Sequence, residues 1–173
     1  MNEQEKTDSP MFIKVIIKSY PTGLLRETIR SNTVRFADQP SQFAKKYRVE
    51  FGSRKAGEIS FQIWHLFNVT PEEERFADDL SPYYASGAQV ALFIFSKGER
   101  ETLEKARIGY QNFKKFMGED CTVFFIGVKA ETETVTVKDI EAVKEIEEVD
   151  YHEINDNAKG LDELFEKIAP YFD

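Results

Sequence analysis

The sequence of 173 residues contains one cysteine, Cys121, and two histidines. A single cysteine excludes a disulfide framework and a metal site built from cysteines. It also favours a reducing compartment, so we expect a cytoplasmic location, with any membrane contact made through a partner. No apolar run reaches the roughly 18 residues of a membrane-spanning helix. The polar start carries no secretory signal, and the chain ends without a prenylation cysteine.

Basic side chains are in the minority, since 23 Lys and Arg stand against 31 Asp and Glu, for a formal net charge of -8. That balance excludes a generally basic nucleic-acid-binding protein. Residues 12–57 nevertheless carry 10 basic and 3 acidic side chains, whereas residues 131–173 carry 14 acidic and 4 basic ones. Two solvated faces are the simplest interpretation. The alternative is that the basic stretch meets an acidic protein or a lipid surface.

Apolar residues are plentiful, at 41% of the chain with 15 Phe among them. This content is sufficient for a packed core, and the length suits one domain. We therefore predict a flexible tail over residues 1–10 and a single domain over residues 11–173.

The apolar pattern predicts six strands and four principal helices. The strands are expected at 12–17, 47–53, 59–64, 89–95, 122–128 and 150–154. The helices are expected at 24–30, 99–117, 137–148 and 161–171, with a further short one near 72–79. The second and third strands form a hairpin. Because the first, fourth and fifth strands are mostly apolar, as is typical of strands buried on both faces, we predict a three-layer α/β/α fold with a mostly parallel sheet and one antiparallel edge strand.

Several strings in this order of elements resemble the Ras-like small GTPases, and the Rab branch in particular. Residues 49–54 (VEFGSR) are similar to the Rab strand after switch I, and residues 61–64 (FQIW) to the strand leading into switch II. Residues 74–76 (ERF) and 83–88 (YYASGA) are similar to switch II and to the start of the next strand. The resemblance covers residues 12–172 and implies a P-loop NTPase-like domain.

The phosphate loop of that family is largely replaced in this chain. Its motif, Gly-x4-Gly-Lys-Ser/Thr, supplies backbone N–H groups and a lysine to the phosphates and a hydroxyl to Mg²⁺. The motif positions fall on Lys18, Gly23, Leu24 and Leu25, so only Gly23 is kept. We expect the two leucines to pack into the space that phosphate fills in the family.

The other positions that bind Mg²⁺ and the γ-phosphate are replaced as well. The switch I threonine falls on or near Lys46, and the Asp and Gly of Asp-x-x-Gly fall on His65 and Asn68. All three protein ligands of Mg²⁺ are therefore missing, and a basic residue and a histidine disfavour the cation further. The resemblance thus implies no metal site and no GTP hydrolysis.

The base-binding motifs are half retained. Asn-Lys-x-Asp falls on residues 128–131, where Lys129 is kept and Glu131 keeps a carboxylate one methylene further out. Ser-Ala-Lys falls within residues 155–159, where the closest match is Asn157-Ala158-Lys159. Because affinity in this family comes mainly from phosphate and Mg²⁺ contacts, we expect no resident cofactor, GTP and GDP included.

Three aromatic residues fall where the Rab family has an apolar triad that effector proteins contact. They are Phe51, Trp64 and Tyr83. Aromatic anchors of this kind are typical interface hot spots, so we expect protein partners at the switch and interswitch face. The alternative is that all three pack within the domain.

These observations favour a pseudo-GTPase, a protein-binding scaffold or subunit in membrane trafficking or cytoskeletal assembly. One alternative is an atypical Rab-like switch that binds guanine nucleotide weakly and without Mg²⁺. Another is a structural subunit whose basic stretch docks on an acidic partner or lipid. Other enzyme classes are disfavoured, since the two histidines, His65 and His152, lie far apart in the sequence.

Overall fold

The computed structural model describes residues 12–21, 23–34, 49–66 and 85–172. The strands in these ranges are β1 (Phe12–Tyr20), β2 (Val49–Ala56), β3 (Ile59–Leu66), β4 (Val90–Ser96), β5 (Thr122–Val128) and β6 (Asp150–Ile154). The helices in them are α1 (Arg26–Ser31), α2 (Arg100–Lys114), α3 (Val137–Glu147) and α4 (Ala158–Ile168), followed by a 3₁₀ turn (Ala169–Phe172). The predicted tail and the short helix near 72–79 lie outside the described residues.

The strands form one sheet in the order β2-β3-β1-β4-β5-β6. β2 pairs with β3 in antiparallel orientation, and the other neighbours are parallel. The predicted fold class is therefore confirmed: a mostly parallel six-stranded sheet with one antiparallel edge strand. None of the helices within the described ranges is long and apolar enough to cross a membrane.

Apolar side chains fill both faces of the sheet. One core cluster, with Phe93 and Phe125 at its centre, lies between the sheet and helices α2 and α3. The other, with Phe61, Phe124 and Phe165, lies between the sheet and helices α1 and α4. Successive residues of a strand point to opposite faces, so β1, β4 and β5 need apolar residues at nearly every position.

β1 is longer than its apolar run predicts. We expected the strand to end at Ile17 and a turn to begin at Lys18, and this is wrong. Lys18, Ser19 and Tyr20 continue the strand beside Phe93, Ile94 and Phe95 of β4. Pairing with a central strand therefore overrides the polar character of Lys18 and Ser19, and the turn begins at Pro21.

Two helices also differ from the apolar pattern. In α3 the helical spacing of Ile140, Val143 and Ile146 predicts that all three face the core. Ile146 is nevertheless 66% exposed, and Glu147 is buried instead. Its carboxylate accepts hydrogen bonds from Gln111 at 2.8 Å and Arg107 at 3.5 Å, which ties α3 to α2. A buried carboxylate with such partners can replace an apolar residue at a core position.

α4 begins at Ala158, three residues before the apolar pattern does, and ends at Ile168 instead of continuing to residue 171. Asn157 is its N-cap, and its side-chain oxygen accepts the Gly160 N–H at 2.7 Å. This capping bond gives the first turn a start that periodicity does not reveal.

Gly109, in the middle of α2, is required by the ring of Tyr20. A Cβ at this position would lie 2.7 Å from the ζ-carbon of Tyr20 and would also meet its hydroxyl. We expect Gly109→Ala to lower the free energy of unfolding by about 1–3 kcal/mol through overpacking, because the better helix propensity of alanine recovers only about 1 kcal/mol. Chemical denaturation measures the change.

Gly118→Ala is the matched control, since a Cβ there would meet nothing within 4 Å. Equal stability of the two variants would contradict this packing.

Candidate functional site

The carboxyl ends of the parallel strands carry most of the predicted nucleotide-site positions. Lys18 lies near that end of β1, His65 near that end of β3, and Lys129 directly after β5. Asn157 follows β6 by three residues. This edge is where open α/β sheets bind ligands, so the structure brings these positions to one region. Two of the predicted positions, Lys46 and Asn68, lie outside the described residues.

The turn between β1 and α1 uses its own backbone donors. The Leu24 N–H donates to the Pro21 carbonyl at 3.1 Å, and the Arg26 N–H donates to the Gly23 carbonyl at 3.0 Å. Gly23 and Leu25 both have positive φ, at 85° and 63°. A phosphate loop must aim such N–H groups at its ligand. Here two of them point into the turn itself.

Leu25 occupies the interior below this turn. It is 2% exposed and belongs to the core cluster between the sheet and α4, and Leu24 packs partly buried against the same cluster. A left-handed conformation costs a non-glycine residue about 1–2 kcal/mol. Burial of a leucine side chain contributes about 1.5–3 kcal/mol, which offsets that cost.

Lys18 is directed away from this turn. Its ammonium group lies 5.0 Å from the ring centroid of Phe113 in α2 and 5.7 Å from that of Tyr20. These rings belong to the core cluster on the α2 face of the sheet, whereas Leu25 belongs to the cluster on the α1 face. Lys18 therefore does not lie in the position of a phosphate-binding lysine.

Charged side chains join α1 to the β2–β3 hairpin beside the turn. The Glu50 carboxylate in β2 lies 3.1 Å from the guanidinium of Arg26 and 3.4 Å from that of Arg30, both in α1. Glu50 stands opposite His65 in the strand register, with 4.0 Å between Oε2 and Nδ1. His65 Nε2 lies 3.4 Å from the Ser19 hydroxyl. We call these five residues the Glu50 network.

His65 is a neutral imidazole in this network. It is fully buried, and burial, reinforced by the positive charge of Arg26, lowers its pKa to about 3. The position that carries an aspartate in the resembled family thus holds an uncharged side chain, which lies beside the Glu50 carboxylate and the Ser19 hydroxyl. Within the described ranges no group of three or more His, Cys, Asp or Glu side chains could hold a metal ion. This donor set does not fit Mg²⁺.

The positions that the resemblance assigns to binding of the guanine base make different contacts in this structure. Lys129 and Glu131 are exposed after β5, where the Lys129 N–H donates to the Ile154 carbonyl at 3.0 Å. The Asn157 side-chain oxygen is engaged as the N-cap of α4. Ala158 and Lys159 belong to the first turn of that helix, and Lys159 lies 3.9 Å from Glu163.

Phe51 and Trp64, two of the three predicted partner residues, are neighbours. They face each other across the hairpin in an edge-to-face pair with ring centroids 4.6 Å apart. The Lys14 ammonium lies 4.0 Å above the Trp64 ring and donates to the Ser86 carbonyl at 2.7 Å. Both aromatic residues are partly buried against the α2-side core. The third residue, Tyr83, lies outside the described residues.

The sequence interpretation missed two polar clusters. One is the Glu50 network, whose signal was present in the hairpin: a turn at Gly57 and Glu58 places Glu50 opposite His65. The other is centred on Lys97, which is buried and lies 2.8 Å from Glu133 and 2.6 Å from Glu153. Burial opposes the charge of Lys97, but the hydrogen bonds that its ammonium group donates to these two carboxylates raise its pKa. The Lys97 cluster ties the loop after β5 to β6.

His65 makes stability depend on pH above the range in which carboxylates titrate. It stays neutral in the folded protein down to about pH 3, whereas an unfolded histidine takes up a proton below about pH 6.5. The free energy of unfolding therefore falls as pH drops below about 6.5, by up to about 1.4 kcal/mol per pH unit. Equilibrium denaturation between about pH 6.5 and 5 measures this slope. We expect His65→Gln to flatten it.

His152→Gln is the matched control. Burial lowers the pKa of His152 too, but this histidine is only partly buried and Asp150 opposes the shift, so its removal should change the slope less. A slope that His65→Gln leaves intact would contradict a buried, neutral His65.

Known proteins similar to this chain agree with the fold. A family model described as "Ras family" matches residues 31–172. The chain is 25% identical over 164 residues to the Ras-related protein Rab-21 of Geodia cydonium, and 28% identical over 138 residues to Ras-related protein Rab-21 of Dictyostelium discoideum. These alignments cover 90% and 78% of the chain, and 68% and 61% of the two relatives. With a family match over most of its length and a sheet of the same class, the chain belongs to the Ras family.

Proposed function

We propose that this Ras-family domain does not hydrolyse GTP and acts as a nucleotide-independent protein-binding module. The observation that carries the proposal is the turn between β1 and α1. It engages the N–H groups of Leu24 and Arg26 within the turn and buries Leu25 beneath it. A phosphoryl-transfer site depends on electrostatic stabilisation by a lysine, backbone donors and Mg²⁺. At this turn a leucine stands in place of the lysine, and two backbone N–H groups donate to carbonyls of the turn.

The Glu50 network supports the same proposal from the metal side. Leucine and histidine stand where a hydroxyl and a carboxylate would ligate Mg²⁺, and Arg26 and Arg30 bring two permanent positive charges nearby. Hard divalent cations require several oxygen ligands, preferably anionic ones. The single carboxylate in the network, Glu50, is shared between both arginines.

The binding role is proposed for the hairpin face that carries Phe51 and Trp64. These rings are only partly buried, so they present aromatic surface beside the Lys14 ammonium. Aromatic residues that combine apolar area with few rotatable bonds are typical anchors of protein interfaces. We propose a protein partner at this face and a cytoplasmic scaffold or subunit role in trafficking or cytoskeletal assembly, with membranes reached through the partner.

The basic stretch gives weaker support to docking on an acidic surface. Among its described residues, Arg26 and Arg30 already pair with Glu50, and Arg54 pairs with Asp162 of α4. Such internal pairs reduce the positive charge that remains for a partner.

The absence of nucleotide is tested on the purified protein. We expect no near-stoichiometric guanine nucleotide in the supernatant of denatured protein, because the turn offers phosphate neither a lysine nor aimed N–H groups. Ion-exchange chromatography measures the released nucleotide, and a fluorescent-GTP titration with and without Mg²⁺ measures affinity. A Ras-family GTPase with an intact phosphate loop is the positive control. Near-unit occupancy, or micromolar affinity, would support the atypical switch instead.

The partner face is tested by Trp64→Ala, with partners first captured by proximity labelling and then purified. Loss of a central aromatic anchor costs about 2 kcal/mol or more, so we expect at least about 30-fold weaker affinity. Gln62→Ala is the matched control, because Gln62 is partly buried two residues away on the same face of β3. Unchanged affinity of a folded Trp64→Ala protein, measured by calorimetry, would refute this face.

A further inference from the structure

We propose that the guanidinium of Arg26, held by Glu50, replaces Mg²⁺ as the cation that fastens α1 to the β2–β3 hairpin. The inference rests on the proposed function, since it explains how this region keeps one conformation without nucleotide. It assigns a role to Arg26, Arg30 and Glu50, to which the resemblance assigns none.

First, the Glu50 network lies where the resemblance places ligands of Mg²⁺. Arg26 directly follows Leu25, which stands at the family's Ser/Thr position, and His65 stands at its aspartate position. Glu50 is the register partner of His65, and Arg26 reaches it from α1 at 3.1 Å. The ion pair therefore joins the start of α1 to the start of β2, directly beside the end of β3. The start of α1 and the end of β3 are the places where the resemblance puts two of the family's metal ligands.

Second, the charges of the Glu50 network disfavour a divalent cation. The guanidinium group of arginine is a permanent cation in proteins, and burial keeps His65 neutral. Two positive charges thus share one carboxylate, and the network has a net charge of about +1. A divalent cation brought to this position would meet that positive charge and no second carboxylate within the network. The protein's own cation and Mg²⁺ are therefore mutually exclusive here.

Third, helix α1 is too short to be stable without tertiary contacts. The helix has six residues, and Leu25 at its N-cap has no side-chain acceptor. A helix this short is unstable without tertiary contacts. Arg26 and Arg30 are four residues apart and so lie on one face, where the single Glu50 carboxylate holds both turns. Burial of Ile29 adds the apolar anchor.

Glu50→Gln tests the proposal, because it keeps the size of the side chain and removes its charge. We expect amide hydrogen exchange in α1 to accelerate at least tenfold and the unfolding temperature to fall by several degrees, while exchange in α2 and α3 stays unchanged. Addition of Mg²⁺ or of a chelator should leave α1 exchange in the wild type unaltered.

Glu141→Gln is the matched control. It removes the same charge from an exposed pair with Lys144, at 3.2 Å in α3, and should leave α1 exchange and the unfolding temperature unchanged. If Glu50→Gln does not fold, Arg26→Gln serves in its place, since Arg30 remains to neutralise Glu50. Arg26→Lys, which keeps the charge but not the planar fork, should lie between Arg26→Gln and the wild type.

The outcomes separate this inference from the proposed function. Accelerated exchange confined to α1 and its hairpin contacts supports the fastening role. Wild-type exchange in both Glu50→Gln and Arg26→Gln overturns it, as does acceleration spread equally over α2 and α3. Slowing of α1 exchange by Mg²⁺ in the wild type also overturns it, because Mg²⁺ would then still fasten this helix. Guanine nucleotide bound to the wild type overturns the proposed function instead.

Discussion

The closed turn between β1 and α1 is the constraint on which the rest of this region depends. The N–H groups of Leu24 and Arg26 donate to carbonyls of the turn itself, and Leu25 is buried in the core. In the function that we propose, this loop has exchanged the ability to bind a polyanion for local hydrogen bonds and apolar burial. Next to this turn, the Glu50 carboxylate pairs with Arg26 and Arg30, and the neutral His65 lies beside the same carboxylate.

In the nucleotide-independent domain that we propose, stability comes from the polypeptide alone. A bound ligand stabilises a folded protein by mass action, and a domain that has no ligand forgoes this contribution. The present chain fills both faces of its sheet with large aromatic residues, seven of the largest fully buried side chains being Phe. Ion pairs between elements, such as those of Glu50, Glu147 and Lys97, then fix how helices and loops sit on that core.

The sequence allowed the sheet to be predicted well and the site only in outline. β5 begins and ends where expected, because a strand buried on both faces is visible in the sequence as an apolar run. β6 also has the expected bounds, although it is mostly polar and only partly buried. The sequence pattern did not predict that Lys18 and Ser19 belong to β1, because the extended conformation of these polar residues depends on pairing with β4. Glu147 is buried in place of Ile146 because its carboxylate has a hydrogen-bond partner on α2, which the apolar periodicity of α3 does not reveal. The network around Glu50 depends on contacts between distant segments, which local pattern does not contain.

Equilibrium unfolding with and without nucleotide tests the central claim most directly. A ligand at 100 times its dissociation constant adds about 2.7 kcal/mol to the free energy of unfolding, and the gain grows with concentration. The account predicts that denaturation midpoints in excess chelator, in millimolar GDP with Mg²⁺ and in a non-hydrolysable GTP analogue with Mg²⁺ coincide. A midpoint that rises with the logarithm of nucleotide concentration would contradict it.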